Sequence, residues 1–286
     1  MTGWRTGVVG CGLMGSGIAE VCLRAGQSVT VVEVDDGAAR AGRERIAASL
    51  ARAVRAGKCT EEERAEALDL LQMSTDFEDL ADVGLVVEAV VEAEEDKTRV
   101  FELLDKVVVD EQAILASNTS SIPIMKLAMA TRRPTQVVGL HFFNPVPVLP
   151  LVELVRSLLS SEETVTRAAA FVTDELGKTV IRSKDRAGFI VNALLIPYLL
   201  SAVRMLESGF AAAEDIDNGM IQGCAHPMGP LALADLIGLD TTMAVAQSLY
   251  EEFKEQLFAP PPLLSRMVEA GLLGRKAGRG FYQYRP

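Results

Sequence analysis

Up to about residue 183 the apolar positions of this chain fall into short runs divided by glycine-rich or polar punctuation, and after that into longer helical stripes. Thr6–Val9 is a short apolar run, and Gly10-Cys11-Gly12-Leu13-Met14-Gly15 follows at once. Apolar residues from Ile18 to Ala25 recur at helical spacing, and Gln27–Val34 is a second run rich in valine. The opening therefore predicts strand, tight turn, helix, strand. An enlarged helical region, Ala38–Leu71, precedes a strand near residue 72. Leu85–Val91 is an apolar strand leading to the acidic Glu92-Ala93-Glu94-Glu95-Asp96-Lys97, which opens an amphipathic helix through Val108. Ala113–Ala116 and Gln136–Leu140 are further strands; the first runs into Ser117-Asn118-Thr119-Ser120-Ser121 and the second into His141. Repeated β-α units imply a parallel sheet whose ligands gather beyond the carboxyl ends of the strands. The glycine turn, the Ser/Asn/Thr cluster and His141 should then share one edge.

Past Ser183-Lys184-Asp185-Arg186 the strand signals stop, and Ala187–Glu207, Ala213–Gln222 and Leu231–Phe253 read as helices. This polar link sets the domain boundary, with residues 1–184 binding a dinucleotide and residues 185–286 forming an all-helical domain. The helices carry more apolar face than roughly 100 residues can bury, which predicts a homodimer through this domain.

The turn at residues 10–15 is a GxGxxG string set between strand and helix, and Glu33 stands at the end of the following strand. In that context Gly10 permits the turn, Gly12 lets the backbone approach a pyrophosphate, and Gly15 lets helix and strand pack closely, with Leu13 and Met14 completing the loop. Free N–H groups at the helix start favour the anion. A carboxylate at Glu33 accepts from a ribose 2′-hydroxyl and repels a 2′-phosphate, so NAD is favoured over NADP. The fold class is thus α/β, a Rossmann-like dinucleotide-binding domain with an inserted helical hairpin, followed by the helical domain.

Composition narrows the class further. There are 39 acidic and 28 basic residues, giving a net charge of −11, which argues against nucleic acid as a partner. Four cysteines, at 11, 22, 59 and 224, show no CxxC spacing; they fit buried thiols in a reducing compartment, and with two histidines they disfavour a metal site. No signal peptide precedes the first strand, and the longest apolar run, Ala187–Val203, is interrupted by Asn192, Pro197 and Ser201 and is short for a bilayer span. A soluble cytoplasmic enzyme with no membrane contact is the expectation. Within the helical insertion Arg40, Arg43, Arg45, Arg52, Arg55 and Lys58 form a basic run that is dense for an acidic chain. It either pairs with Glu61 to Glu66 or holds an anion such as the phosphates of coenzyme A.

His141 ends an apolar strand, and Glu153 lies twelve residues on, in the next ordered segment. Such a histidine is either a satisfied core residue or a general base oriented by a carboxylate. His226, followed by Pro-Met-Gly-Pro, reads as shaping a turn between helices.

Beyond the glycine turn, with its continuation Ser16-Gly17-Ile18-Ala19, the chain carries Ala116-Ser117-Asn118-Thr119-Ser120-Ser121 and His141-Phe142-Phe143-Asn144-Pro145-Val146-Pro147. It also carries Gly188-Phe189-Ile190-Val191-Asn192, His226-Pro227-Met228-Gly229-Pro230, and Gly274-Arg275-Lys276 through Gly280-Phe281-Tyr282. In order and spacing these motifs closely resemble the L-3-hydroxyacyl-CoA dehydrogenases, nearest to the 3-hydroxybutyryl-CoA branch, over almost the whole chain. The resemblance implies NAD-dependent interconversion of a short-chain L-3-hydroxyacyl-CoA and its 3-ketoacyl-CoA. It makes His141 the base and Glu153 its orienting partner, with Ser120 and Asn192 bonding the substrate oxygens. Glu92, Lys97, Asn144 and Lys276 align with residues around the nicotinamide and its ribose, Ser49 and Arg52 with CoA contacts, and no metal is implied. Two positions depart from the pattern: Leu149-Pro150 replaces a usual Met-Lys, and Ala56 replaces a frequent CoA-binding lysine, for which Arg55 or Lys58 would substitute. The alternatives are a dehydrogenase of a free sugar acid or hydroxy acid, as in the gulonate dehydrogenase and lambda-crystallin branch, and a non-catalytic NAD-binding protein.

Overall fold

The computed structural model describes residues 4–284, and the chain divides into two compact units between Arg186 and Ala187. The first is built on an eight-stranded sheet in the order β3-β2-β1-β4-β5-β6-β7-β8. Its strands are β1 (Arg5–Val9), β2 (Ser28–Val32), β3 (Leu71–Ser74), β4 (Leu85–Glu88), β5 (Ile114–Ser117), β6 (Val137–Phe142), β7 (Leu151–Arg156) and β8 (Thr179–Lys184). β1 to β6 are parallel, so every loop that follows one of them leaves from the same edge. β7 runs antiparallel to β6, and β8 runs parallel to β7. The inner strands are buried from end to end, the pattern of a sheet covered on both faces. On one face Leu85, Val87, Ile114, Val138 and Leu140 form a continuous core with α1 (Leu13–Arg24).

The inserted helical hairpin is α2 (Asp36–Arg55) and α3 (Glu61–Asp69), as the spacing predicts. The Asp35 side chain caps the start of α2, and Thr60 with Glu63 forms a capping box that starts α3 after the bend between the arms. Ala39, Gly42, Ile46, Leu50 and Ala53 make the buried stripe of α2. Further along come α4 (Glu94–Val107), α5 (Ile124–Met129) and α6 (Glu162–Ala170).

The second unit is helical throughout the described residues, apart from isolated bridges near its end, with α7 (Val191–Glu207), α8 (Ala213–Cys224), α9 (Pro230–Ile237), α10 (Leu239–Phe253) and α11 (Pro262–Glu269). Its own core gathers Leu199, Leu200, Val203, Leu231, Leu249 and Leu264. Three expected elements are corrected. Leu231–Phe253 is two helices, because Gly238 at φ 104° turns the chain where no L side chain fits readily. α7 begins at Val191 rather than Ala187, after a turn with positive φ at Gly188 and Phe189. β4 stops at Glu88 instead of Val91, since the Glu88 carboxylate takes the Val90 N–H that a continuing strand would pair. Among the described residues no helix is long and apolar enough to cross a membrane.

Candidate active site

The glycine turn leaves β1 at Gly10, whose φ of 84° belongs to the left-handed region and whose N–H donates to Val32 O at 2.9 Å. A Cβ at Gly15 would stand 1.8 Å from Gly10 O, so helix and strand are in backbone contact there. A Cβ at Gly12 would meet nothing within 4 Å. Gly12 begins α1 with no side-chain cap, so an exposed amino end faces open space. This is the geometry a pyrophosphate needs: close backbone, bare N–H groups and room.

Glu33 directly follows β2, and its Oε1 accepts the Cys11 N–H at 2.5 Å, which ties the end of β2 to the turn. Burial and the Glu33 charge push the Cys11 thiol up to about 12. Arg45 of α2 donates to Cys11 O at 2.6 Å. That use was not anticipated: one member of the basic run braces the turn. Arg40, Arg43, Arg52, Arg55 and Lys58 have no carboxylate within ion-pair distance among the described residues, and all are exposed. Pairing with Glu61 to Glu66 is therefore not what these cations do; Glu61 instead pairs with Arg64 on its own helix. Ser49 hydrogen-bonds the carboxyl of Glu20, which burial raises above the usual carboxylate range.

The loops after β4 and β5 interlock. Glu92 Oε1 collects Thr119 Oγ1–H at 2.5 Å, Ser120 N–H at 2.9 Å, Ser121 Oγ–H at 2.9 Å, Ser121 N–H at 3.1 Å and Ser120 Oγ–H at 3.4 Å. Burial works to raise Glu92, but Lys97 and these donors outweigh it and hold the carboxyl below its ordinary range. Lys97 is buried beneath them, 2.7 Å from Glu88 Oε1 and 3.3 Å from Glu92 Oε2.

At the reversal of the sheet, His141 and Glu153 are direct register partners across β6 and β7. His141 Nδ1 lies 2.7 Å from Glu153 Oε2, with 6% of the histidine and none of the glutamate exposed. The Phe143 ring sits 4.6 Å from the imidazole, centroid to centroid, and Asn118 Oδ1 accepts the Phe142 N–H at 2.9 Å, joining β6 to the loop after β5. Asn144 is exposed in the loop that follows. Lys178 bridges that loop, donating to Val146 O and Leu149 O, each at 2.7 Å.

In the second unit, Asn192 is the second residue of α7 and is half-buried. Lys276 pairs with Asp240 Oδ2 at 2.6 Å. His226 lies between α8 and α9, 3.1 Å from the Tyr198 hydroxyl, while Asp217 takes the first N–H groups of α9 from Leu231 and Ala232.

Residues 5–186 match the family profile described as 3-hydroxyacyl-CoA dehydrogenase, NAD binding domain, and residues 188–284 match the C-terminal domain of the same family. The chain belongs to the 3-hydroxyacyl-CoA dehydrogenase family. This dehydrogenase is 61% identical over 280 residues to a 3-hydroxybutyryl-CoA dehydrogenase of Mycobacterium tuberculosis, covering 98% of each chain. A crystal structure of M. tuberculosis FadB2 superposes with a TM-score of 0.98 at 61% identity, covering 99% of both chains. One of (S)-3-hydroxybutyryl-CoA dehydrogenase PaaH1 from Ralstonia eutropha does so at 0.95 and 44%, covering 100% of both. The NAD-dependent character expected from the glycine turn accords with that family, and the open, uncapped turn fits the cofactor.

The sequence of this dehydrogenase did not single out Glu88, although a single acid ending an otherwise apolar strand, Leu85-Val86-Val87-Glu88, was a signal for it. Ser117 and Asn118 were expected at the site only as members of the polar cluster; no local signal gave Asn118 its role, because its partner is 24 residues away in β6.

Proposed function

We propose that the enzyme interconverts short-chain L-3-hydroxyacyl-CoA, such as 3-hydroxybutyryl-CoA, and the corresponding 3-ketoacyl-CoA, with His141 as base and Glu153 as its orienting partner. The observation that carries this reading is the buried cross-strand contact of 2.7 Å between them, on the sheet edge from which the glycine turn also leaves. Bound NAD supplies the hydride acceptor. With Nδ1 committed to Glu153, His141 takes the proton of the 3-hydroxyl at Nε2, and the carboxylate stabilises the imidazolium so formed. Ser120 and Asn192 donate to the substrate oxygens as neutral groups, adding no competing acid.

Gly10, Gly12, Leu13, Met14, Gly15 and Glu33 would hold the adenosine and pyrophosphate side of the cofactor, and Glu92, Lys97, Asn144 and Lys276 would serve its nicotinamide side. Ser49, Arg52, Arg55 and Lys58 would hold CoA; the unpaired state of those cations favours a polyphosphate handle over a free acid. Residues 1–184 would be the NAD-binding domain and residues 185–286 the substrate and dimerisation domain. Leu194 and Phe210, 72% and 79% exposed, support that dimer face. Four free thiols support a cytoplasmic setting.

An NADH absorbance assay with a ladder of 3-ketoacyl-CoA lengths beside free 3-hydroxy acids tests the reading. Fastest turnover at acetoacetyl-CoA is expected; equal turnover of the free acids would replace this reading with the sugar-acid branch.

A further inference from the structure

We infer that Glu88 is a positioning residue for Ser120, acting through Lys97 and Glu92 on one side and through Ser117 on the other. The inference rests on the reading of Ser120 as a donor to substrate oxygen. Glu88 ends β4 with Val9 and Ser117 as its register partners, so it stands between the glycine turn and the serine loop. It is fully buried, and Lys97 is 1% exposed. A carboxylate and an ammonium withdrawn from water recover little net stability from each other, so orientation is the better explanation of such a pair.

An ammonium has three N–H donors, and three acceptors surround this one: Glu88 Oε1 at 2.7 Å, Val90 O at 3.3 Å and Glu92 Oε2 at 3.3 Å. Lys97 is thus spent on fixing two carboxylates. Glu92 in turn takes the Ser120 N–H at 2.9 Å but its hydroxyl at only 3.4 Å. The first bond sets where Ser120 sits, while the second is weak enough for the hydroxyl to rotate toward a substrate oxygen. On the other side Ser117 Oγ–H donates to Glu88 Oε2 at 2.6 Å and accepts the Thr119 N–H at 3.1 Å. Two separate chains, one of hydrogen bonds and an ion pair and one of hydrogen bonds alone, therefore run from one carboxylate to the turn that carries Ser120.

The test is acetoacetyl-CoA reduction by single and double variants, with NADH affinity read separately by fluorescence titration. Glu88→Gln keeps the shape but leaves Lys97 with one carboxylate; kcat should fall about tenfold with NADH affinity held within about twofold. In a Ser120→Ala background the same change should cost nothing further, whereas a merely structural role gives losses that multiply. Glu88→Gln/Lys97→Met removes both charges; it should regain any lost melting temperature yet keep the low kcat, because Glu92 has lost its anchor. If Glu88→Gln does not fold, Ser117→Ala leaves the ion pair intact and should lower kcat about fivefold, the worth of one hydrogen bond, again with no added loss on Ser120→Ala. Multiplying losses, full kcat in Glu88→Gln, collapse of NADH binding in Glu88→Gln, or recovery of kcat in the doubly neutral variant would each overturn the inference. Failure of the wild-type enzyme to reduce acetoacetyl-CoA would instead overturn the functional reading, so the two failures are distinguishable.

Discussion

At the scale of single residues, the proposed base would be used only in the chemical step. His141→Ala is expected to lower kcat by roughly 10³-fold while NADH affinity in a fluorescence titration stays nearly unchanged. Retained turnover would remove His141 from the role. Glu153→Gln should cost less, roughly 10²-fold in kcat, because an amide can still orient the ring but stabilises the imidazolium poorly. Both residues were visible in the sequence as a histidine and an acid twelve positions apart. Their pairing was not, since the contact depends on a strand register that no local pattern states. Lys97 is the opposite case. The family resemblance sets it on the nicotinamide side, while its burial and its three acceptors, which no local pattern states, tie its charge to Glu88 and Glu92.

Among elements, the turn between β1 and α1 was the most legible, because its demands are local: a left-handed residue, a bare amino end and a close crossing. Two alanines separate the structural glycine from the one proposed to bind. Gly15→Ala drives a methyl into Gly10 O, and a loss of about 3 kcal/mol or more is expected in chemical denaturation. Gly12→Ala meets no protein atom, so stability should hold while NADH affinity falls; unchanged affinity would place the cofactor elsewhere. The break at Gly238 escaped notice because the apolar period of α9 continues into α10, and periodicity does not register one residue of unusual φ. The end of α4 offers a pH test. Buried Asp105 would be raised by desolvation, but Arg132 and Arg133 hydrogen-bond it and hold it below the usual range. A depressed carboxylate adds stability that is full above its unfolded value, about 3.9, and is lost as pH falls through the lower folded value. Asp105→Asn should thus cost about 2 kcal/mol at neutral pH, and the gap to wild type should close in strong acid. A gap that persists there would mean the loss is one of packing.

For the molecule as a whole, the two-part plan was readable because the change from alternating to uniformly helical signal is abrupt near residue 184, while β7 and β8, which widen the sheet past β6, were not foreseen as strands. Sedimentation at micromolar concentration should give twice the 30.7 kDa chain mass, and Leu194→Glu should shift it toward one chain. A monomeric wild type would sink the dimer proposal. The reversal of direction between β6 and β7 has a further meaning for the chemistry. Ring and carboxylate are opposite ends of one rung in a hydrogen-bonded ladder, so breathing of the sheet carries them as a unit and their spacing survives movements that displace the surrounding loops. A one-residue slip of β7 would swap the acid for Val152 or Leu154 and turn its side chain to the other face, so under the proposed mechanism the enzyme would be either in register and armed or out of register and inert, with no half-aligned state between.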